Sequence, residues 1–262
     1  MKIEIVKRAL ITGGSYGIGS ALAKKFAENG VEVILIARTE EKLLEVKKGI
    51  EKEGGKAYIF PADLTKTNLE ELFNRIYSEY EFDTLVNNAG FGTIGKFYKL
   101  DIKKELEMIE LNVKVLVELS HHFLSRRIKE GKEGTLINIS SLAAFFPIPY
   151  FATYAATKAF VLSFSEAIRR EVEDEKIKVI TICPGGVKTE FQKRAGIKDD
   201  IYSLQNYLTA DELANYVWEA VKKSKSPFVP GPANKIYSYI VRITPIPLMT
   251  KLGKIFMKMR LK

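Results

Sequence analysis

The 262-residue sequence lacks the features that mark several specialised classes of protein. It has one cysteine, Cys183, and cannot form an intrachain disulfide, which is typical of a reducing compartment such as the cytoplasm. No apolar run approaches the roughly 18 residues of a membrane-spanning helix. The N-terminal stretch MKIEIVKRALITGG has no signal-peptide features. The two histidines, His121 and His122, are adjacent without a third ligand, so we expect no bound metal.

Positive charge is unevenly distributed along the chain. The net charge is +9, yet residues 1–219 carry 31 basic and 32 acidic side chains. After Glu219 there are ten lysines and arginines and no acidic residue, so the whole excess belongs to the C-terminal part. A basic groove across the body is not indicated, and we do not expect the protein to bind nucleic acid.

Short β-rich runs alternate with longer amphipathic runs along most of the sequence. The β-rich runs are nearly continuous in apolar residues, as expected of parallel strands covered on both faces. This alternation predicts an α/β fold with a doubly wound, Rossmann-like parallel sheet. Since no linker or repeat interrupts it, we expect a single domain over 1–231 and a C-terminal helical extension over 232–262. The predicted strands are RALIT, VEVILIA, KAYIFPA, FDTLVNNAG, GTLINIS and IKVITICPGG.

A glycine-rich segment, ITGGSYGIGSALA, joins the first predicted strand to the first helix. Gly13, Gly17 and Gly19 permit a tight turn and a close approach of the backbone to a ligand, while the helix N-terminus favours phosphate. A purely structural glycine turn is the alternative. The position at the first strand–helix junction favours a dinucleotide site.

The end of the second strand, VILIARTEEKL, indicates which dinucleotide is bound. Sites for NAD usually carry an acidic residue here to hold the adenosine ribose, whereas this chain has Ala37 and Arg38. Arg38 could pair with a 2′-phosphate, assisted by the hydroxyls of Ser15 and Thr39. The alternative is a solvated arginine at the start of the next helix. The missing acid favours NADP(H).

The segment YFATYAATKAF places Tyr154 and Lys158 four residues apart, on one face of a predicted helix. Taken alone, this spacing is more often ordinary packing than chemistry. Further segments favour chemistry, because together they follow, over residues 7–190, the order in which one known family carries its motifs. With Tyr154 and Lys158, the whole set resembles the short-chain dehydrogenase/reductase family. The segments are TGGSYGIG, Asp63-Leu64, NNAG at 87–90, ELNVKV with Asn112, INISS ending at Ser141, YAATK, and PGGVKT at 184–189.

The resemblance implies a catalytic set of Ser141, Tyr154, Lys158 and Asn112. Tyr154 would exchange a proton with the substrate oxygen, which Ser141 would steady by a hydrogen bond. A free tyrosine has a pKa of about 10, which a neighbouring Lys158 cation is expected to lower. Lys158 would also hold the nicotinamide ribose, and Asn112 would hold a water that links Lys158 to solvent.

The same resemblance implies the contacts of the cofactor. The glycine-rich loop would bind the phosphates, the NNAG segment the adenosine ribose, and PGGVKT the nicotinamide. The expected cofactor-binding residues are Gly13, Ser15, Tyr16, Gly17, Ile18, Gly19, Arg38, Thr39, Asp63, Leu64, Asn88, Ala89, Gly90, Tyr154, Lys158, Pro184, Gly185, Val187 and Thr189.

The substrate is less well defined than the cofactor. Residues 190–210 are expected to form a lid over an apolar pocket, which favours a ketone, aldehyde or acyl-chain carbonyl. A non-catalytic sensor or scaffold protein is the main alternative, and a dehydratase or epimerase a further one. Relatives commonly form homodimers or homotetramers through the helices that carry Asn112 and Tyr154. The expected pocket residues are Phe91, Phe145, Phe146, Pro147, Ile148, Pro149 and Phe191.

The chain continues for about thirty residues beyond a further strand predicted at SPFVPG. Pro245 and Pro247 are expected to break this tail into two helices. The second helix has an apolar face and an adjoining cationic stripe. That face could pack on the body or on a partner subunit, or it could lie on an anionic membrane as a peripheral helix. Packing is favoured, because the helix is short and carries no tryptophan. The face comprises Leu248, Leu252, Ile255 and Met259, and the stripe Lys251, Lys254, Lys258 and Lys262.

Overall fold

A parallel sheet of six strands forms the centre of the molecule. The computed structural model describes residues 6–195 and 207–261, without the side chains of 192–194, 256 and 259–261. The six strands predicted from the apolar runs are confirmed. They are β1 (Arg8–Thr12), β2 (Glu32–Ala37), β3 (Ala57–Pro61), β4 (Thr84–Asn87), β5 (Gly134–Ile139) and β6 (Ile177–Ile182). Two further short strands, β7 (Val187–Lys188) and β8 (Leu208–Thr209), pair with each other.

Helices cover both faces of the sheet. Near the sheet these are α1 (Gly17–Glu28), α2 (Glu40–Lys52), α3 (Leu69–Glu79), α4 (Ile102–Ile109), α5 (Leu116–Lys129), α6 (Ala152–Glu171), α7 (Glu190–Ala195) and α8 (Ala210–Lys222). Apolar side chains of α1, α2 and α8 form one core cluster with the sheet, and those of α3, α5 and α6 form the other. The doubly wound architecture predicted from the sequence is therefore confirmed.

The strand order, β3–β2–β1–β4–β5–β6, reverses between β1 and β4. Ligands of open parallel sheets bind at such a reversal, outside the carboxyl ends of the strands, because the neighbouring loops diverge there and leave a crevice. The glycine-rich loop follows β1, and the NNAG segment begins at the end of β4. The topology thus brings the two segments to one place.

The strand predicted at SPFVPG is reduced to one bridge beside β6. Phe228 donates its N–H to Thr181 and accepts from the N–H of Cys183, at 2.8 Å in each case. Pro227 and Pro230 flank this bridge and have no N–H to extend the ladder. The expectation of a further full strand was therefore wrong.

The C-terminal extension consists of two helices, α9 (Pro232–Ile243) and α10 (Ile246–Leu261), separated at Thr244 and Pro245 as predicted. The apolar face that was expected to pack on the body or on a partner subunit does not pack on the body, because Leu248, Leu252 and Ile255 are about half exposed. Met249 and Met257 are buried instead. Packing on a partner subunit stays a prediction. Lys262 lies outside the described residues, and so does the side chain of Met259. Within the described ranges, no helix combines the length and the hydrophobicity needed to cross a membrane.

Candidate active site

The glycine-rich loop has a backbone that only glycine accommodates. Gly13 and Gly17 adopt φ angles of +69° and +53°, which side chains rarely tolerate. A Cβ atom on Gly19 would lie 2.1 Å from the carbonyl oxygen of Gly13. The first turn of α1 contains no acidic residue, so nothing on that turn opposes an anion at the positive end of the helix. Ser15, Tyr16 and Ile18 are half-buried in the same turn.

The NNAG segment holds the glycine-rich loop in place. The hydroxyl of Thr12 accepts hydrogen bonds from the N–H groups of Asn88 and Ala89, both at 3.0 Å. The side-chain amide of Asn88 donates to the carbonyls of Thr12 at 2.9 Å and Gly13 at 3.3 Å. Asn88 therefore fixes the loop that is expected to receive the phosphates. The family resemblance implies only a cofactor contact for this residue.

The residues expected to receive adenosine cluster after β2 and β3. Arg38 is largely exposed and lies 3.5 Å from the carboxylate of Glu107, and Thr39 occupies the N-cap position of α2. Burial raises the pKa of Asp63, but hydrogen bonds from Thr65 and the charges of Arg38 and Lys66 outweigh it, so that the pKa lies below its ordinary value. Leu64 has its side chain buried in the core, which leaves its backbone to meet an adenine.

Tyr154 and Lys158 lie side by side on the first turns of α6, as their spacing predicts. The Tyr154 ring stacks on Phe151 with centroids 4.3 Å apart and is flanked by Phe191 at 5.3 Å. Lys158 directs its amine to the carbonyl of Ile139 at 2.9 Å. Its Nζ atom lies 5.8 Å from the centre of the tyrosine ring. Both side chains are more than nine-tenths buried.

Ser141 joins this pair from the end of β5. It begins a short 3-10 turn, Leu142–Phe145, and its hydroxyl accepts from the N–H of Ala143 at 3.1 Å. Ser141 lies next to Tyr154, whose pKa it acts to lower. Ser141, Tyr154 and Lys158 are thus brought together although the first comes from the sheet and the others from a helix. Neighbouring Ser140 donates to the carbonyl of Lys158 at 2.8 Å, tying α6 to the strand end.

Asn112 sits in a π-helical segment, Glu110–Val115, that separates α4 from α5. Its amide exchanges hydrogen bonds with the backbone N–H and C=O of Phe91, at 3.1 and 3.0 Å, and donates to the hydroxyl of Thr157 at 3.1 Å. The side chain therefore ties the NNAG loop to α6. Gly90 lies between, since a Cβ there would be 2.8 Å from Asn112 Oδ1 and 3.7 Å from Lys158 Nζ. The proton-relay role stays a prediction.

The protonation states differ from those expected from the sequence. Burial raises the pKa of Tyr154 to about 12, against the smaller opposing effect of the Ser141 hydrogen bond. Burial also lowers the pKa of Lys158 to about 8. The expectation that the Lys158 cation lowers the tyrosine pKa is wrong for this arrangement, because burial disfavours the charged form of both groups and the amine is bound to Ile139.

The PGGVKT segment closes the crevice from the other side. A Cβ on Gly17 would lie 3.1 Å from Thr189, and the carbonyl of Pro184 accepts from the N–H of Leu142 at 2.7 Å. Val187 is buried in β7, and Gly185 lies under Asn234 of α9. Of the expected lid, α7 and residues 207–210 are described, whereas 196–206 lie outside the described residues.

Apolar side chains surround the tyrosine, as the sequence predicted. Phe91, Ile148 and Phe191 pack on a cluster that contains Phe151 and Tyr154. The same cluster includes Met257 of α10. Three other expected pocket residues contact the tail: the Arg242 guanidinium lies 4.3 Å from the centre of the Phe145 ring, the rings of Phe146 and Tyr237 are 5.8 Å apart, and Pro149 faces Gly253.

One residue beside the site was missed by the sequence analysis. Glu105 on α4 is buried, and its carboxylate accepts hydrogen bonds from the hydroxyls of Thr93 and Thr153. It thereby joins the loop after β4 to the first turn of α6, next to Tyr154. Its segment, IKKELEMIE, is rich in charge and carries no signal that separates a buried glutamate from exposed ones.

The described residues fit a nicotinamide dinucleotide. At the positive end of α1, the backbone of Gly13, Gly17 and Gly19 forms a cradle that side chains would fill. Arg38 lies where the ribose of adenosine is expected. The Tyr154–Lys158 pair lies at the opposite end of the crevice. Among the described residues, no group of three histidine, cysteine, aspartate or glutamate side chains is placed to hold a metal ion.

Comparisons with known proteins agree with this geometry. A family model described as short chain dehydrogenase matches residues 7–200. The chain is similar to a fatty acyl-CoA reductase of Acinetobacter baylyi, with 34% identity over 226 residues that cover 83% of this chain and 73% of the relative. It is 29% identical over 233 residues to a probable oxidoreductase, EphD, of Mycobacterium tuberculosis, covering 82% of this chain but only 39% of that relative.

Solved structures share the fold. A short-chain dehydrogenase from Sphingobium yanoikuyae in complex with NADPH gives a TM-score of 0.80 with 29% identity, over 88% of this chain and 91% of that one. A 3-ketoacyl-(acyl-carrier-protein) reductase from Brucella melitensis complexed with NADH gives 0.75 with 26% identity, over 85% and 94%. Because these two complexes hold different cofactors, similarity of fold does not decide which one this chain prefers.

The buried Lys158 makes the stability of the cofactor-free protein depend on pH. Its pKa is about 8 in the folded protein and about 10.4 in an unfolded chain. Between these values the unfolded chain binds the extra proton, so the free energy of unfolding rises with pH. We expect the melting temperature of the unaltered protein to rise across this window relative to that of Lys158→Met, which does not titrate. Thermal unfolding followed by circular dichroism tests this; a constant difference between the two proteins would contradict it.

Proposed function

The chain belongs to the short-chain dehydrogenase/reductase family, and on that premise we propose that it is an NADP(H)-dependent oxidoreductase acting on apolar carbonyl compounds or secondary alcohols. The observation that carries this proposal is the meeting of Ser141, Tyr154 and Lys158 at one end of the crevice whose other end is the glycine-rich loop. We assign catalysis to residues 1–231. A panel of ketones, aldehydes and 3-oxoacyl thioesters assayed with NADPH is the experiment that tests it.

The proton chemistry is assigned to the described side chains. A bound nicotinamide supplies or accepts the hydride. In reduction, Tyr154 donates its phenolic proton to the substrate oxygen; its raised pKa keeps that proton in place at neutral pH. Ser141 donates a hydrogen bond to the same oxygen as negative charge develops there. In alcohol oxidation the phenolate is the form that accepts the proton from the substrate hydroxyl.

Phe151 and Phe191 complete the site by flanking the tyrosine ring. Apolar rings on both sides keep water from the reacting oxygen, which strengthens hydrogen bonds from Ser141 and Tyr154. The same surroundings suit an apolar substrate. Together with the similarity to a fatty acyl-CoA reductase, they support an acyl-chain carbonyl, a ketone or an aldehyde as the substrate class.

The cofactor assignment depends on the end of β2. Arg38 is largely exposed, so its guanidinium can turn from Glu107 to a 2′-phosphate without loss of packing. No acidic residue stands at Ala37 or Arg38 to prefer the ribose hydroxyls of NAD. These features support NADP(H) over NAD(H).

A non-catalytic sensor or scaffold protein remains the alternative function. Such a protein would need the cradle for the dinucleotide but not the gathering of Ser141, Tyr154 and Lys158. Because the structure brings all three together in a shielded apolar site, the enzymatic function is favoured. Failure of every carbonyl in the panel, with NADPH still bound, would favour the sensor.

We also propose a homodimer or homotetramer. Ile102, Leu106 and Ile109 lie at helical spacing on α4 and are 42–58% exposed, and Phe160 on α6 is 40% exposed. These helices adjoin Asn112 and carry Tyr154, respectively. Exposed apolar side chains grouped in this way are typical of subunit contacts.

Replacing Tyr154 by phenylalanine tests the proposed proton donor. Tyr154→Phe removes the hydroxyl but keeps the ring between Phe151 and Phe191, so the fold and NADPH binding should survive. Loss of general-acid catalysis should lower kcat by about 10²–10⁴. Steady-state reduction of the best substrate, with NADPH affinity measured by fluorescence, provides the comparison. Near-normal turnover would show that another group supplies the proton.

Reversing the charge at Arg38 tests the proposed cofactor preference. Arg38→Asp should lose a charge-assisted contact worth about 1.5–3 kcal/mol, or about 10–100-fold in NADPH affinity, while NADH binding is kept or improved. The matched control is Lys48→Asp, which makes the same charge change at an exposed position farther along α2. Equal use of NADPH and NADH by the unaltered protein would refute the preference.

A further inference from the structure

The two C-terminal helices expose an extensive apolar surface. On α9 it comprises Ile236, Tyr239, Ile240 and Ile243, and on α10 Ile246, Leu248, Leu252 and Ile255, each 49–83% exposed. The four residues of α9 recur at three- and four-residue spacing, and so do Leu248, Leu252 and Ile255 of α10, so each helix presents an apolar stripe. Ile246 is exposed at the start of α10. Apolar surface grouped to this extent marks an interaction site. We call these eight residues the tail stripe.

These helices are nevertheless attached to the body by their other faces. Met249 and Met257 of α10 and Val241 of α9 are buried. Arg242 lies over Phe145, and Met257 belongs to the cluster around Tyr154. The tail stripe is therefore held outwards by packed side chains, and folding of one subunit does not cover it.

The charged residues of the two tail helices have one sign. The chain contains no acidic residue after Glu219, and ten lysines and arginines lie in that part. Lys251, Lys254 and Lys258 are exposed on α10 and follow helical spacing next to the tail stripe. An apolar stripe on helices that carry cations and no acidic residue is complementary to a surface that is apolar inside and anionic at its boundary.

A second copy of the chain is a poorer occupant. A two-fold contact places the same patch on both sides of the interface, and this patch would bring lysines against lysines with no acidic residue of the tail to pair with them. Anionic lipid headgroups supply the missing negative charge. Tyr237 and Tyr239 add the aromatic rings with polar tips that are frequent at membrane interfaces.

We propose that α9 and α10 dock the protein on an anionic lipid bilayer, with the tail stripe entering the boundary of the acyl chains and the α10 lysines on the headgroups. Helices of this kind lie in the plane of the interface. The opposite side of the same helices meets Phe145 and the Tyr154 cluster. Resting on the proposed function, this arrangement places the catalytic site next to a reservoir of apolar substrate.

The docking is tested by sedimentation of the full chain with vesicles of phosphatidylcholine alone or mixed equally with phosphatidylglycerol. The test variant carries Lys251→Glu, Lys254→Glu and Lys258→Glu. A matched control carries Lys24→Glu, Lys48→Glu and Lys52→Glu, which make the same charge change at exposed positions on α1 and α2. A second variant, Leu252→Ser with Ile255→Ser, removes apolar surface at exposed positions and keeps the charge.

We expect the unaltered chain and the control to bind the anionic vesicles and to be released by high salt. The tail lysine variant should lose at least about tenfold in vesicle affinity, and the serine variant should also bind more weakly. If the control and the tail lysine variant lost vesicle affinity equally, net charge alone would explain the binding, and the proposal would be overturned. So would absence of vesicle binding, or a serine variant that changes only oligomer size in analytical ultracentrifugation.

Vesicle binding is read without substrate or cofactor, so it can fail or succeed separately from the oxidoreductase activity. Reduction of a water-soluble ketone should be unchanged in the tail lysine variant, because Lys251, Lys254 and Lys258 touch none of the proposed catalytic residues. Loss of that activity together with vesicle binding would indicate a structural tail and would contradict the proposal.

Discussion

The hydroxyl of Thr12 at the end of β1 accepts two backbone N–H groups from the loop after β4, and Asn88 returns two hydrogen bonds to the carbonyls beside it. These four bonds join the two loops at the place where the strand order reverses. This junction holds the glycine-rich loop and the NNAG loop in position. Through Phe91 and Asn112 it is also connected to α6, the helix that carries Tyr154 and Lys158. The loops that line the crevice are therefore fixed relative to one another by hydrogen bonds.

Burial sets the chemistry of the site more strongly than the proximity of charge. Tyr154 and Lys158 are both enclosed, and each is held in its neutral form over a wider range of pH than in water. A neutral phenol is a proton donor, and a lysine with a pKa of about 8 changes charge near neutral pH. Any anion that enters beside them would favour the lysine cation again, so the state of the pair depends on what occupies the crevice.

The parts of the molecule that the sequence could predict are those that depend on local pattern. Continuous apolar runs are needed for strands covered on both faces, so β1 to β6 could be located closely. The pairing of Tyr154 with Lys158 follows from one helical turn. The role of Glu105 could not be predicted, because a buried glutamate between Thr93 and Thr153 depends on contacts distant in sequence. The same applies to the pKa of Tyr154, which depends on how completely the folded chain buries the side chain.

The tail shows why an apolar face does not by itself identify what covers it. Two sides of α10 could have packed on the body, and the side chosen is Met249–Gly253–Met257 rather than Leu248–Leu252–Ile255. Gly253 explains the choice: a Cβ there would begin 3.3 Å from Pro149, so the missing side chain allows the helix to approach closely. Close approach fixes the rotation of the helix about its axis, and that rotation leaves the leucine side outwards. Hydrophobicity predicts that such a face needs a partner. The charges carried by the same helices, here lysines and arginines without acidic residues, indicate which partner.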